Sequence, residues 1–276
     1  MVLDLVPWLE PLIALLAAGL LAGFTAGIFG VGGGFVVVPA LILVLPLLGG
    51  VQAQYAHIAI GTSAATIVIT SIRSLTSHAK RGAVEFEVLR TWAPWIVLGA
   101  GLGVALAGHV DGRVLTLIFA CGVLLMSLSF LLPRLANKVV SDHMPSGATR
   151  AGIAGVLGAY SSLLGIGGGV VAITVMTLCG RSIQRAIATA SGIGALIAVP
   201  SAIGFAIIGF SKTGLPWGSL GYVNLPAMAA VSSMSILTAP LGVSAAHSLP
   251  AARLRSVFGL YLVLVAGFMF KNAMRI

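Results

Sequence analysis

The feature that most constrains this chain is a long stretch without charge: residues 11–72 contain no Asp, Glu, Lys or Arg. Similar uncharged runs recur at residues 91–110, 114–133, 151–180, 186–211, 213–252 and 256–270. A helix needs about 20 apolar residues to cross the hydrocarbon core of a bilayer, and several of these runs exceed that length. Only 8% of the residues are charged, against roughly 25% in soluble domains. The sequence therefore predicts an all-α integral membrane protein.

The apolar residues group into about eight predicted transmembrane segments. They lie near residues 10–46, 55–76, 91–109, 113–133, 148–178, 184–210, 224–247 and 253–271. A hydrophilic stretch at 133–150 divides the chain into halves of similar length. We expect a first membrane repeat at 1–135, an inter-repeat loop at 136–147 and a second membrane repeat at 148–276.

Short strings recur in the same order in both halves. The string GVGGG at 30–34 returns as GIGGG at 165–169, and AIGT at 59–62 returns as AIAT at 186–189. Further along, LGV occurs at 102–104 and again at 241–243. The shared order indicates an internal duplication, which is characteristic of secondary transporters whose binding sites lie where the repeats meet.

Each half opens with a glycine-interrupted segment that is too long for one straight span. Such a segment is either one broken helix or two helices folded back as a hairpin at the glycines. The first alternative makes the repeats parallel and the second makes them inverted. Both place most Lys and Arg residues on one side of the membrane, so the charge rule does not choose between them.

Glycine costs about 1 kcal/mol relative to alanine in a helix, so glycine strings inside spanning segments need a reason. A helix that begins after such a string presents free N–H groups and its positive dipole end, which together can bind an anion. The alternative is close helix packing through small residues. We assign a substrate-binding role to the glycines of both strings: Gly30, Gly32, Gly33, Gly34, Gly165, Gly167, Gly168 and Gly169.

Hydroxyl side chains follow the second repeated string in each half. Thr62 and Ser63 in one half, and Thr189 and Ser191 in the other, are candidates for hydrogen bonds to the same substrate. The alternative is that each hydroxyl bonds to a carbonyl of its own helix. The second copy reads TASG where the first reads TSAA, so we expect the site to be asymmetric.

The charged residues narrow the class of substrate and exclude several functions. All six acids lie at segment ends or in loops, whereas cation and proton pathways usually carry acids inside the membrane. An anionic or neutral substrate fits better, and a coupling ion, H⁺ or Na⁺, is left open. The basic residues are scattered among loops, which argues against nucleic acid as a partner. No nucleotide, metal or catalytic motif occurs, so we predict no cofactor, no metal and no enzymatic activity.

The chain resembles a known family at several motifs. They are the duplicated GxGGG, GTS at 61–63, SHAKRGAVEF at 77–86 and GSLGYVN at 218–224. In this order they are similar to the sulfite exporter TauE/SafE family, also called the toluene sulfonate uptake permease family, from about residue 15 to 270. The resemblance implies a permease for small sulfur-containing anions such as sulfite or organosulfonates. Its members share a framework but differ in cargo.

The sequence thus predicts a secondary transporter that binds a small anion between two repeats and is driven by an ion gradient or the membrane potential. The alternatives are an anion channel and a non-transporting membrane scaffold. The first residues lack the basic region of a cleavable signal, so we expect the first helix to be retained. The resemblance implies a multi-pass protein of a bacterial inner membrane, and assembly into a homo-oligomer is left open.

Overall fold

The computed structural model describes residues 6–30, 32–131, 141–248 and 251–274, so part of the predicted inter-repeat loop at 136–147 lies outside the described residues. These residues form ten α-helices joined by short connections. The helices are α1 (Val6–Phe29), α2 (Gly34–Leu48), α3 (Tyr55–Ala79), α4 (Phe86–Ala107), α5 (Gly112–Leu131), α6 (Gly147–Leu164), α7 (Gly169–Leu178), α8 (Ile183–Gly209), α9 (Leu225–Ser248) and α10 (Ala251–Ala273). A 3₁₀ turn at Gln52–Gln54 precedes α3, and a two-stranded antiparallel pair, β1 (Ser219–Leu220) and β2 (Val223–Asn224), precedes α9.

Among the described residues, seven helices are long and apolar enough to cross a membrane: α1, α3, α4, α5, α8, α9 and α10. Helices α2 and α7 are apolar but have only 15 and 10 residues, fewer than the about 20 that a full crossing needs. The mostly helical architecture is that of an all-α integral membrane protein, as the hydropathy predicts. The first and the fifth apolar segment each contain two helices rather than one.

The glycine strings separate these paired helices. Helix α1 ends at Phe29 and α2 begins at Gly34, while α6 ends at Leu164 and α7 begins at Gly169. The residues that precede α2 and α7, Gly33 and Gly168, adopt left-handed backbone conformations with φ of 80° and 63°. Other residues pay roughly 1–2 kcal/mol for that conformation, so glycine is the residue expected at both turns.

The chain turns back on itself at both glycine strings. A β-carbon at Gly33 would lie 2.6 Å from the carbonyl oxygen of Ala22, in the preceding helix α1. A β-carbon at Gly168 would lie 3.1 Å from Cδ1 of Leu157, in the preceding helix α6. In each half the second helix therefore starts beside the first helix, well before the level at which the first helix ends.

The most extensive interfaces between helices join one half of the chain to the other. Helix α1 of the first half packs along α9 of the second half, and α6 of the second half packs along α4 of the first. Helices α3 and α8 pack against each other, as do α5 and α10. The predicted repeats are therefore interleaved in space rather than standing side by side.

Small residues allow these helices to approach closely. Gly19, Gly23 and Gly27 follow one face of α1, and a β-carbon on any of them would collide with the backbone of α9. On α4, Gly99 and Gly103 lie in the same way against Gly155 and Ala159 of α6. Interfaces of this kind are common between membrane helices, because lipid supplies no hydrophobic drive and close packing must hold the helices together.

Candidate functional site

The two glycine strings meet inside the protein. A β-carbon on Gly34, the first residue of α2, would collide with the carbonyl oxygen of Gly165 and lie 3.0 Å from the Cα of Ile166. Both Gly34 and Gly165 are buried. The string of one half therefore touches the string of the other, and the N-terminal end of α2 lies at that contact.

Each string also packs against the central helix of the opposite half. A β-carbon at Gly30 would collide with the carbonyl oxygen of Ile187 in α8. A β-carbon at Gly165 would lie 3.0 Å from the Cα of Ile60 in α3. Ile60 and Ile187 belong to the repeated strings AIGT and AIAT, so the two motifs that recur in the sequence contact each other crosswise.

The middle glycines of the strings rest on the central helix of their own half. Gly32 lies against α3, where a β-carbon would be 2.7 Å from Cγ2 of Ile67, and its carbonyl oxygen accepts a hydrogen bond of 3.1 Å from Thr70 Oγ1. The carbonyl oxygen of Gly167 lies against Gly194 of α8, 3.4 Å from where a β-carbon would stand. With Gly33, Gly168 and Gly169 at the starts of α2 and α7, every glycine assigned to the site is placed in this contact region.

Two of the predicted hydroxyls cap helices of the opposite half. Thr62 Oγ1 accepts a hydrogen bond of 2.9 Å from the backbone N–H of Asn224, the residue before α9. Thr189 Oγ1 accepts a hydrogen bond of 3.0 Å from the backbone N–H of Glu85, the residue before α4. Both threonines are fully buried. These hydroxyls thus hold the start of a helix in the other half.

The remaining predicted hydroxyls are also engaged within the protein. Ser63 Oγ donates a hydrogen bond of 2.8 Å to the carbonyl oxygen of Gly165, and so holds the second glycine string. Ser191 Oγ donates a hydrogen bond of 3.2 Å to Ile187 O in its own helix and lies 3.1 Å from Ser74 Oγ of α3. The structure therefore brings Ser63 to a glycine string and places Ser191 in the interface between α3 and α8.

A buried polar stripe runs along α3 beyond the residues that the motifs singled out. Its members recur at every fourth position and are all buried: Thr62, Thr66, Thr70, Ser74 and His78. Thr66 donates to the carbonyl oxygen of Thr62 at 3.0 Å, and Thr70 donates to that of Thr66 at 3.2 Å. Residues spaced four apart are neighbours on a helix surface and form a stripe that winds slowly round the helix. This regular spacing could have been recognised in the sequence.

Charged residues gather beyond one end of the stripe. Glu85, which is only 16% exposed, lies 3.2 Å from Arg181 Nε and 4.0 Å from Arg185 Nη1. This small network joins the start of α4 to the connection between α7 and α8 and to the first turn of α8. Because both arginines are substantially exposed, each pair contributes only about 0–1 kcal/mol. The sequence placed Glu85 in a loop but not in a contact between the halves.

The described residues offer little for metal or thiol chemistry. In the ranges 6–30, 32–131, 141–248 and 251–274, no group of three His, Cys, Asp or Glu side chains could hold a metal ion. Cys121 is exposed and Cys179 is buried, and both are free thiols. Burial raises the pKa of the Cys179 thiol above its usual range, against the opposing charge of Arg181. The Cys179 thiol therefore stays protonated near neutral pH.

Known proteins resemble this chain over almost its whole length. The family described as sulfite exporter TauE/SafE matches residues 15–269. A probable membrane transporter protein of Haemophilus influenzae is 36% identical over 256 residues, which cover 92% of this chain and 96% of the relative. A probable membrane transporter protein of Methanocaldococcus jannaschii is 26% identical, and the match covers 91% of this chain and 94% of the relative. Another, of Xylella fastidiosa, is 29% identical, and the match covers 94% of each chain. No solved structure gives a significant match.

Proposed function

The chain belongs to the sulfite exporter TauE/SafE family, and on that premise we propose that it is a secondary transporter of small sulfur-containing anions such as sulfite or organosulfonates. Membership makes it a protein of a membrane transporter family, and its relatives carry the name probable membrane transporter protein. The cargo class is proposed from the family name together with the chemistry of the glycine strings.

The contact between the two glycine strings is the observation that carries this proposal. At that contact the N-terminal end of α2 faces Gly165, and α7 begins four residues further along the same string. The first four N–H groups of a helix have no partner inside it, and they carry the positive end of the helix dipole. The start of α2 at this contact and the start of α7 on the same string offer an anion such donors without a buried arginine.

The halves at 1–135 and 148–276, with the connection at 136–147, are proposed to be a duplicated pair. This is supported by the exchanged partners, α1 with α9 and α4 with α6, because a duplicated unit that packs symmetrically on its copy produces such reciprocal contacts. The capping roles of Thr62 and Thr189 are reciprocal in the same way. Alternating exposure of a site between the halves would then require movement of one half against the other.

The proposed driving force is an ion gradient or the membrane potential, with H⁺ or Na⁺ as the coupling ion. Glu85, an ion-paired acid with a side chain that is 16% exposed, lies outside the candidate spans. Backbone carbonyls and Ser/Thr hydroxyls at the glycine strings are the oxygen ligands that a sodium ion would meet. The proposed location is a bacterial inner membrane.

Flux in proteoliposomes tests the proposal directly. Purified protein is reconstituted with labelled sulfite, methanesulfonate, taurine, sulfate or acetate, and proton, sodium and voltage gradients are imposed one at a time. We expect saturable, uphill movement of a sulfur oxyanion that one gradient accelerates. Movement that only runs downhill would indicate an anion channel instead. No flux of any of these anions from folded protein would overturn the proposed cargo class and favour a scaffold.

A further inference from the structure

Two buried serine hydroxyls beside the glycine strings have no hydrogen-bond partner within the part of the chain that the structure describes. Ser71 on α3 is 1% exposed and Ser161 on α6 is fully buried, and neither Oγ makes a hydrogen bond. Other buried hydroxyls, on α3 and on α8, donate within their own helix. Thr66 and Ser201, for example, donate to the carbonyl oxygen four residues back, at 3.0 and 2.7 Å.

Ser71 lies between the two glycine strings. Its Oγ would be 3.3 Å from a β-carbon on Gly32 of the first string and 2.7 Å from a β-carbon on Gly194 of α8. The carbonyl oxygen of Gly167, from the second string, packs against that same Gly194. The Ser71 hydroxyl therefore points to the place where residues of both strings come together.

Ser161, a residue of α6, lies beside the start of α7. Its Oγ would be 2.8 Å from a β-carbon on Gly168, the residue before that helix. The hydrogen-bond ladder of α7 includes a bond of 3.1 Å from Ala172 N to Gly168 O, so the N–H groups of the residues before Ala172 precede the ladder. The unpartnered Ser161 hydroxyl therefore lies next to the first-turn N–H groups of α7, a helix of ten residues.

We propose that Ser71 and Ser161 are the hydroxyl donors of the anion site, and that this site is built around the second glycine string. One hydroxyl binds from the α3 side and the other from the α6 side, each to a different oxygen of a small oxyanion, while the first turn of α7 supplies N–H donors. The inference rests on the proposed transport function and names its specificity-determining residues. Thr62 and Thr189 differ from these serines, since the oxygen of each accepts a backbone hydrogen bond from the start of a helix.

The corresponding positions in the other half show that the hydroxyls are not part of the repeated packing. Gly30 corresponds to Gly165, which places Ala26 opposite Ser161. Ile60 corresponds to Ile187, which places Ala198 opposite Ser71. Both alanines are buried as deeply as the serines. Because a methyl group suffices at the matched positions, packing alone does not call for a hydroxyl at either serine.

The energetics of unpartnered hydroxyls make the proposal testable. Removing a buried polar group that has no partner leaves nothing unsatisfied, so a Ser71 or Ser161 hydroxyl that bonds neither the protein nor a ligand would be replaced by alanine with no loss of stability and no change in KM. A hydroxyl that donates to an ionised ligand contributes to binding more strongly than one that bonds a neutral group. The two roles therefore predict different changes in the apparent KM and in the thermal stabilisation that the anion gives.

The experiment compares Ser71→Ala, Ser161→Ala and the double variant with wild type and with Ser201→Ala. Ser201 is also buried on a helix, but its hydroxyl donates to its own helix. Saturable flux of sulfite and of methanesulfonate is measured in proteoliposomes, and thermal unfolding is measured with and without each anion. We expect each single variant to raise KM about tenfold or more, with an unchanged or higher midpoint and a smaller stabilisation by the anion. Ser201→Ala should keep the wild-type KM.

The results separate this inference from the function on which it rests. Wild-type KM and wild-type stabilisation by the anion in the double variant would overturn the assignment of the two serines while leaving the transporter intact. Wild-type protein that is folded but moves none of the anions would overturn the proposed function, and this inference with it. A midpoint that falls in Ser71→Ala or Ser161→Ala with no change in KM would show a structural hydroxyl and also overturn the assignment.

Discussion

At the scale of single residues, the glycine strings owe their composition to two separate demands. Gly33 and Gly168 need a left-handed backbone, with φ of 80° and 63°. Gly34 instead needs close approach, because a β-carbon there would collide with a carbonyl oxygen of the opposite half, and Gly30, with φ of 63°, meets both demands. A string such as GxGGG therefore combines a turn with a contact, and neither demand can be met by alanine.

The turn at Gly168 gives the first prediction. In Gly168→Ala the left-handed backbone costs roughly 1–2 kcal/mol, and the new methyl group would lie 2.5 Å from Ile197 Cδ1 and 2.8 Å from Ser161 Oγ. We expect a lower free energy of unfolding and reduced flux. Thermal unfolding in detergent and proteoliposome flux measure the two effects.

A matched control for this substitution is available in the preceding helix. Gly152→Ala places its methyl group in open space, with nothing within 4 Å, and should stabilise α6 by up to about 1 kcal/mol. Equal stability of Gly168→Ala and Gly152→Ala would contradict the turn geometry. Unchanged transport in a folded variant with a bulky residue at both Gly33 and Gly168 would remove the glycine strings from the mechanism.

At the scale of elements, reciprocal caps and small-residue stripes decide how the helices are held. The starts of α4 and α9 are each fixed by a threonine from the central helix of the other half. The α9 cap is reinforced by Asn224, whose side-chain Oδ1 accepts from Ala227 N at 3.0 Å and whose Nδ2 donates to Trp217 O at 3.0 Å. The α4 start is reinforced by the contacts of Glu85 with Arg181 and Arg185 instead.

The two caps should differ in strength. In Thr62→Val the backbone N–H of Asn224 loses its partner in a fully buried place, which costs about 1–3 kcal/mol because Asn224 is 0% exposed. In Thr189→Val the N–H of Glu85 is only partly buried, so water can replace the lost partner and the cost is smaller. Unfolding midpoints of the two variants measure the difference.

The same variants test whether the threonine hydroxyls bind the transported anion. If Thr62 is structural, Thr62→Val lowers the unfolding midpoint, and the KM of whatever folded protein remains is that of wild type. Thr174→Val, which removes a hydroxyl bonded within its own helix, is the control. A raised KM at an unchanged midpoint for Thr62→Val would return this hydroxyl to the substrate site.

Close packing between α1 and α9 gives a further prediction for the elements. A leucine at Gly27 would meet the backbone of Ala239 and Val243, and overpacking of this kind typically costs about 1–3 kcal/mol. Leucine at Gly101 of α4 has nothing within 4 Å of its β-carbon. We therefore expect Gly27→Leu to unfold at a lower temperature than Gly101→Leu. The reverse order would argue against the α1–α9 contact.

At the scale of the whole molecule, the interleaved halves make each half dependent on the other. Helix α1 lacks α9, and α4 lacks α6, in any protein that contains only one half. In several of the seven candidate spans, less than half of the most apolar stretch is buried inside the protein. The rest of that stretch is available to lipid. The helices are thus held by contacts between halves rather than by a core within each half.

Splitting the chain tests this dependence. Residues 1–135 and 148–276, each produced alone in membranes, should fail to give folded protein, because their glycine-lined helix faces are left without partners. Produced together, the two pieces should associate and restore transport. Purification through a tag on one piece, followed by detection of the other and by flux measurement, reads out the result. A stably folded single half would contradict the interleaved arrangement.

The sequence by itself determined the class of the fold and the family. A backbone that crosses lipid must satisfy its own hydrogen bonds, as a helix or a closed barrel does. Continuous apolar runs of about 20 residues or more fit helices rather than the short alternating strands of a barrel, so the all-α membrane architecture follows from the runs alone. The order of GxGGG, GTS, RGAV and GYVN was sufficient to identify the family that the comparisons confirm. The repeated strings also marked the region where the halves touch, although not which atoms touch.

Only the tertiary structure decided which hydroxyls are already engaged. In the sequence, Thr62 and Thr189 resemble Ser71 and Ser161, since all four are hydroxyl residues in apolar segments. Their difference lies in partners 162 and 104 residues away, the N–H groups of Asn224 and Glu85, and in the glycines against which the serines lie. Hydropathy records the free energy of moving a segment from water into lipid, whereas a hydrogen bond between distant residues depends on where the rest of the chain lies.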